Sequence, residues 1–149
     1  ATLYMTKFQQ ITDIFNKWIW KKSDFDKNGS IQCVDWSREF ANEIGSPIGT
    51  FSWSALNCWN TGSAFTGTKW KRVKYMWNVP TAWDILFFVF TPNNTYWHTS
   101  VADWWCSKTI LLSVEQNGGK WQWQGTWTDA IRRKKWDYKG CLGWFTLET

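Results

Sequence analysis

The chain has 149 residues, 44% of them hydrophobic and 19% charged, which suits one folded domain with its own core and excludes a disordered chain. Seventeen basic against twelve acidic residues leave a net charge of +5, a sign that favours anionic partners such as nucleic acid, anionic lipid or acidic cell-wall polymers. No apolar run approaches the roughly 18 residues of a membrane span. No basic region followed by an apolar core marks a secretory signal, so neither feature is expected.

In chain order, Phe8, Ile11, Ile14, Phe15 and Trp18 recur at helical spacing and predict an amphipathic helix over residues 6–20. Residues 24–35 read D-x-D-x-N-G-x-I-x-x-x-D, the spacing of an EF-hand calcium loop with a glycine at its sharp turn. No second such loop exists to pair with it. A second helical stripe runs through Cys33, Ser37, Phe40, Ala41 and Ile44, with Ser30 as candidate N-cap and Gly45-Ser46-Pro47 as the stop. Cys33 then falls in a first helical turn, where a thiol ionises most readily. Residues 45–80 lack periodicity and predict loops, with one short helix near Ala55–Trp59. Candidate strands follow at Ile85–Phe90, His98–Trp104, Thr109–Glu115, Ala130–Trp136 and Leu142–Leu147. Helices first and strands afterwards argue for an α+β domain, with N-terminal helices packed on a C-terminal antiparallel sheet over residues 80–147.

The cluster Arg132-Arg133-Lys134-Lys135 fits the solvated face of a strand better than a nucleic-acid groove. Four dispersed cysteines (Cys33, Cys58, Cys106, Cys141) and one histidine give no zinc-finger spacing, and reduced thiols are expected. A lone histidine is more often a packing residue than a catalytic one. If the His98 and Glu115 strands pair as a hairpin, however, His98 meets Glu115 and Asn117 at one sheet edge. Cys33 would then complete a nucleophile, a base and a group that orients the base.

The segments Gln32-Cys33-Val34-Asp35, Asp84–Phe88, His98-Thr99-Ser100-Val101, Val114-Glu115-Gln116-Asn117 and Leu142-Gly143-Trp144 come in that order. Together they resemble the CHAP family (cysteine, histidine-dependent amidohydrolase/peptidase), especially the domains of phage endolysins, over about residues 20–146. The resemblance implies a papain-like fold for a single domain spanning 1–149. It implies hydrolysis of an amide bond of peptidoglycan, as endopeptidase or N-acetylmuramoyl-L-alanine amidase. Cys33 then matches the nucleophile, His98 the general base, and Glu115 and Asn117 its orienting partners, with Gln32 an oxyanion candidate. It also implies a Ca²⁺ ion on Asp24, Asp26, Asn28, Ser30 and Asp35, bracing the loop that carries Cys33. Such a protein is expected to be a monomer, held in the host cytoplasm until lysis, with no nucleic-acid or membrane partner.

The sequence departs from that family in its sixteen tryptophans. Trp83 and Trp97 stand where the family usually has glycine, and 119–127 reads like a glycine-alternating loop with tryptophan inserted. Either the tryptophans form an aromatic platform, or a reassigned UGA codon that the source reads as glycine stands here as tryptophan. Two other function classes are a non-catalytic, tryptophan-rich wall- or glycan-binding module and a calcium sensor of the EF-hand type.

Overall fold

The computed structural model describes residues 6–27, 33–51, 54–89, 98–116 and 130–148. Helix α1 (Lys7–Trp18) opens with a capping box. Gln9 N–H donates to Thr6 Oγ1 at 3.2 Å and Thr6 N–H to Gln9 Oε1 at 3.1 Å, pairing donors that a helix start otherwise leaves open. Ile11, Ile14 and Phe15 carry its buried stripe. Phe8, expected in that stripe, is instead 54% exposed and lies against Trp104 at the rim of the core, ring centroids 4.9 Å apart.

Helix α2 (Cys33–Glu43) buries Cys33, Ser37, Phe40 and Ala41 as expected, and Asp35 and Trp36 with them. Gly45 ends it at φ +82°, and Ser46 N–H reaches back to Ala41 O at 3.0 Å, a left-handed helix stop for which glycine is suited. The candidate cap Ser30 lies outside the described residues. Helix α3 (Ala55–Thr61) is the short helix expected near Ala55–Trp59. Among the described residues no helix is long and apolar enough to cross a membrane.

Strands β1 (Trp70–Lys74), β2 (Ile85–Phe88), β3 (His98–Ala102), β4 (Leu111–Glu115), β5 (Arg132–Trp136) and β6 (Cys141–Leu147) form one antiparallel sheet. Its order is β1-β6-β2-β3-β4-β5. Three helices on a six-stranded antiparallel sheet make the fold α+β. Strand β1 falls where the sequence reads as loop. Its Lys71, Arg72 and Lys74 are exposed, and it is completed by pairing with β6 at the far end of the chain, Trp70 opposite Leu147. No local apolar alternation announces such a strand.

Strand β2 is buried on both faces, which is why it reads as an unbroken apolar run. Ile85 and Phe87 pack with Trp59, Phe65 and Phe145 on one side. Leu86 and Phe88 pack with Leu111, Tyr138 and Trp144 on the other. Helices α1 and α2 lie over Val101 of β3 and Val114 of β4. The open edges, β1 and β5, carry the basic residues, with Arg133 and Lys135 of β5 turned to solvent.

Candidate active site

Cys33 is the first residue of α2, His98 the first of β3 and Glu115 the last of β4. Val101 pairs with Val114 and Ala102 with Ser113, so this antiparallel register brings the start of β3 beside the end of β4. His98 Nε2 lies 2.8 Å from Glu115 Oε2, both side chains fully enclosed. The Cys33 side chain adjoins the same imidazole and raises its proton affinity. Cysteine, histidine and carboxylate therefore meet, on elements whose first or last residues they are.

Burial by itself pulls the His98 imidazole down, because it penalises the charged ring. The Glu115 carboxylate and the neighbouring Cys33 side chain more than reverse this and push it up to about 9. The site therefore favours an imidazolium at neutral pH. All four cysteines are free thiols, but only Cys33 adjoins the imidazole. Burial pushes Cys58 up to about 11 and Cys141 up to about 12, and it raises Cys106 as well. Those three are packing thiols.

Three residues that the sequence reading did not single out complete the surroundings. Trp136 donates its indole N–H to Glu115 Oε2 at 3.1 Å, and Ser113 Oγ donates to the same oxygen at 3.3 Å. Gln116, fully buried, grips the backbone of Ser23 from both sides. Its Oε1 accepts from Ser23 N–H at 2.6 Å and its Nε2 donates to Ser23 O at 2.9 Å. One strand end thus holds the imidazole through Glu115 and the acidic loop through Gln116. No sequence spacing signals either contact, because the partners lie 21 and 93 positions away.

Asp24, Asp26 and Asp35 bring carboxylate oxygens within 4.8 Å of one another. Phe25 N–H donates to Asp35 Oδ1 at 3.2 Å, folding the loop onto the first turn of α2. Oxygens at that separation can face one another across a Ca²⁺ ion, whose bonds are about 2.3–2.6 Å long. An all-carboxylate donor set suits a hard cation. The residues present fit the ion. Gln32, Asn117, Asn28 and Ser30 lie outside the described residues.

Comparison of the sequence with known protein families finds no match, and comparison with curated proteins finds none. Solved structures do match. The wild-type endolysin LysIME-EF1 superposes with a TM-score of 0.71 at 17% identity, over 96% of this chain and 65% of that one. The chain shares its fold with an endolysin. The protein Ly7917 superposes with a TM-score of 0.61 at 16% identity, over 95% of this chain and 63% of the other. The chain thus spans under two thirds of either relative.

Proposed function

We propose that this chain is the catalytic domain of a peptidoglycan hydrolase of the CHAP type, cleaving an amide bond of the wall peptide through a Cys33 thiolate. The observation that carries this reading is the Cys33–His98–Glu115 group, in which the chain's one histidine adjoins both a thiol and a carboxylate. The endolysin fold supports it.

In this mechanism the proton of Cys33 resides on His98, whose imidazolium Glu115 stabilises. The thiolate sulfur bonds to the amide carbonyl carbon, and backbone N–H groups at the start of α2 stabilise the oxyanion that forms. The C–N bond then breaks as His98 gives its proton to the leaving amine. Water, deprotonated by His98, hydrolyses the thioester and restores the thiol. Asn117 and Gln32 keep the roles that the family resemblance implies. Asp24, Asp26 and Asp35, with Asn28 and Ser30, would hold a Ca²⁺ ion. When bound, that ion supplies positive charge to the acidic loop and braces the start of α2.

The test is clearance of purified cell walls, followed by mass spectrometry of the fragments to tell endopeptidase from amidase. Cys33→Ala is expected to abolish clearance while wall binding persists. The alternative, a binding module, draws on the exposed Trp20, Trp77 and Trp105. It predicts no cleavage by the unmodified chain and the same wall binding by both forms; clearance by Cys33→Ala equal to that of the parent would defeat the thiol mechanism.

A further inference from the structure

Four side chains, the candidate base among them, close a ring. His98 meets Glu115 at 2.8 Å, and Glu115 Oε2 accepts the Trp136 N–H at 3.1 Å. Trp136 stacks on Phe88 with centroids 5.7 Å apart, and Phe88 stacks on His98 at 6.0 Å. Lys134 Nζ lies 4.3 Å over the Trp136 ring and 3.9 Å from Glu115 Oε1. We infer that Trp136 is a positioning residue for His98, acting through Glu115 on one side and Phe88 on the other. An enclosed carboxylate oxygen that loses one of its donors is held less tightly, and so is the imidazole it orients.

This inference rests on the proposed hydrolase only for its kinetic part. Because the chain has one histidine, its downfield ring N–H proton resonance reports His98 alone. Trp136→Phe keeps the aromatic face and removes the donor. It is expected to shift that resonance upfield and to lower kcat on soluble wall fragments about tenfold with KM unchanged, the size of one hydrogen bond to a charged group. Trp136→Gln, which restores a donor, is expected to return part of the shift. A resonance that stays at its original position in both variants overturns the positioning role. A shifted resonance in a chain that cleaves no wall supports the role and removes the hydrolase instead.

A second inference rests on the backbone. Among the described residues, five non-glycine positions are left-handed, and four are tryptophans: Trp20 (φ +71°), Trp77 (+64°), Trp83 (+72°) and Trp105 (+70°). Tryptophan supplies only 16 of the 149 residues, and its Cβ disfavours this region, whereas glycine enters it freely. Trp20 follows the C-cap of α1, the usual glycine position at a helix end. Trp83 is third in the turn that Asp84 N–H closes onto Thr81 O at 3.0 Å, again where positive φ calls for glycine. Trp20, Trp77 and Trp105 are 75%, 81% and 84% exposed. By contrast Trp36, Trp70 and Trp136 lie outside the left-handed region. Their indoles donate to Val114 O, Ser46 O and Glu115 Oε2 at 2.7, 2.8 and 3.1 Å.

The geometry points to glycine at 20, 77, 83 and 105 in the protein that the source makes, each encoded by a UGA codon read there as glycine. Trp97 and residues 119–127 lie outside the described residues, so these four positions carry the argument. The gene is expected to hold UGA at these four and UGG at 36, 70 and 136; UGG at all seven overturns the inference. Trp20→Gly, Trp77→Gly and Trp105→Gly, whose side chains pack on little, are each expected to raise Tm by about 2–4 °C. Unchanged or lowered Tm in all three overturns the strain argument. Trp83 is excluded from this measurement because its ring is buried, with Lys7 Nζ 4.2 Å above it.

Discussion

Two anionic centres flank Cys33 and are built on opposite plans. On the sheet side, Glu115 is surrounded by the chain's own donors: His98, Trp136, Ser113 and, farther off, Lys134. On the loop side, Asp24, Asp26 and Asp35 crowd like charges within 4.8 Å. The first balances its charge from within and fixes the geometry of one ring nitrogen. The second groups carboxylates whose donor set suits a hard cation. An enclosed imidazole–carboxylate pair and a cluster of like charges thus meet at one helix start.

The largest effect that would break this comparison comes from Glu115→Gln, which keeps the shape but removes the charge facing His98. Wall hydrolysis is expected to fall on the order of 10³-fold, measured as kcat/KM on soluble fragments; a fall of less than threefold would assign Glu115 to packing. Next is Gln116→Leu, which strands the buried N–H and C=O of Ser23. Denaturant unfolding should show a loss of about 2–3 kcal/mol, and any Ca²⁺-induced rise in Tm should shrink with it.

Asp26→Asn sharpens the contrast, because its sign depends on the ion. In chelator the substitution relieves repulsion and should raise Tm by about 2–4 °C, roughly 1 kcal/mol. In millimolar Ca²⁺ it should lower Tm by a similar amount. The same sign in both buffers would remove the cation site. A further prediction concerns pH. His98 is raised from 6.5 to about 9, so its contribution to stability is fully present below pH 6.5 and lost as pH rises through about 9. Tm should decline gently over that window, and His98→Gln should flatten the decline.

Much of this was legible in the sequence because it is local. The stripes of α1 and α2 follow from helical periodicity, and the acidic spacing follows from a turn of fixed length. The meeting of His98 with Glu115 follows from pairing two successive strands. What escaped depends on distant partners. Strand β1 exists by virtue of β6, and Gln116 matters only because Ser23 passes beside it. The role of Trp136 depends on β5 lying next to β4. The composition did expose a surplus of tryptophan, but only φ marks the four that sit in left-handed turns.

The sheet is open, and both of its edges are basic: Lys71, Arg72 and Lys74 on β1, and Arg133 and Lys135 on β5. An unpaired strand edge is a template on which a neighbouring molecule can extend the sheet. Two copies approaching edge to edge would bring lysines and arginines against each other, with Lys71 and Arg133 partly offset by Glu148 and Asp103. The same side chains that raise the chain's net charge are thus the kind that discourages strand addition at an open edge.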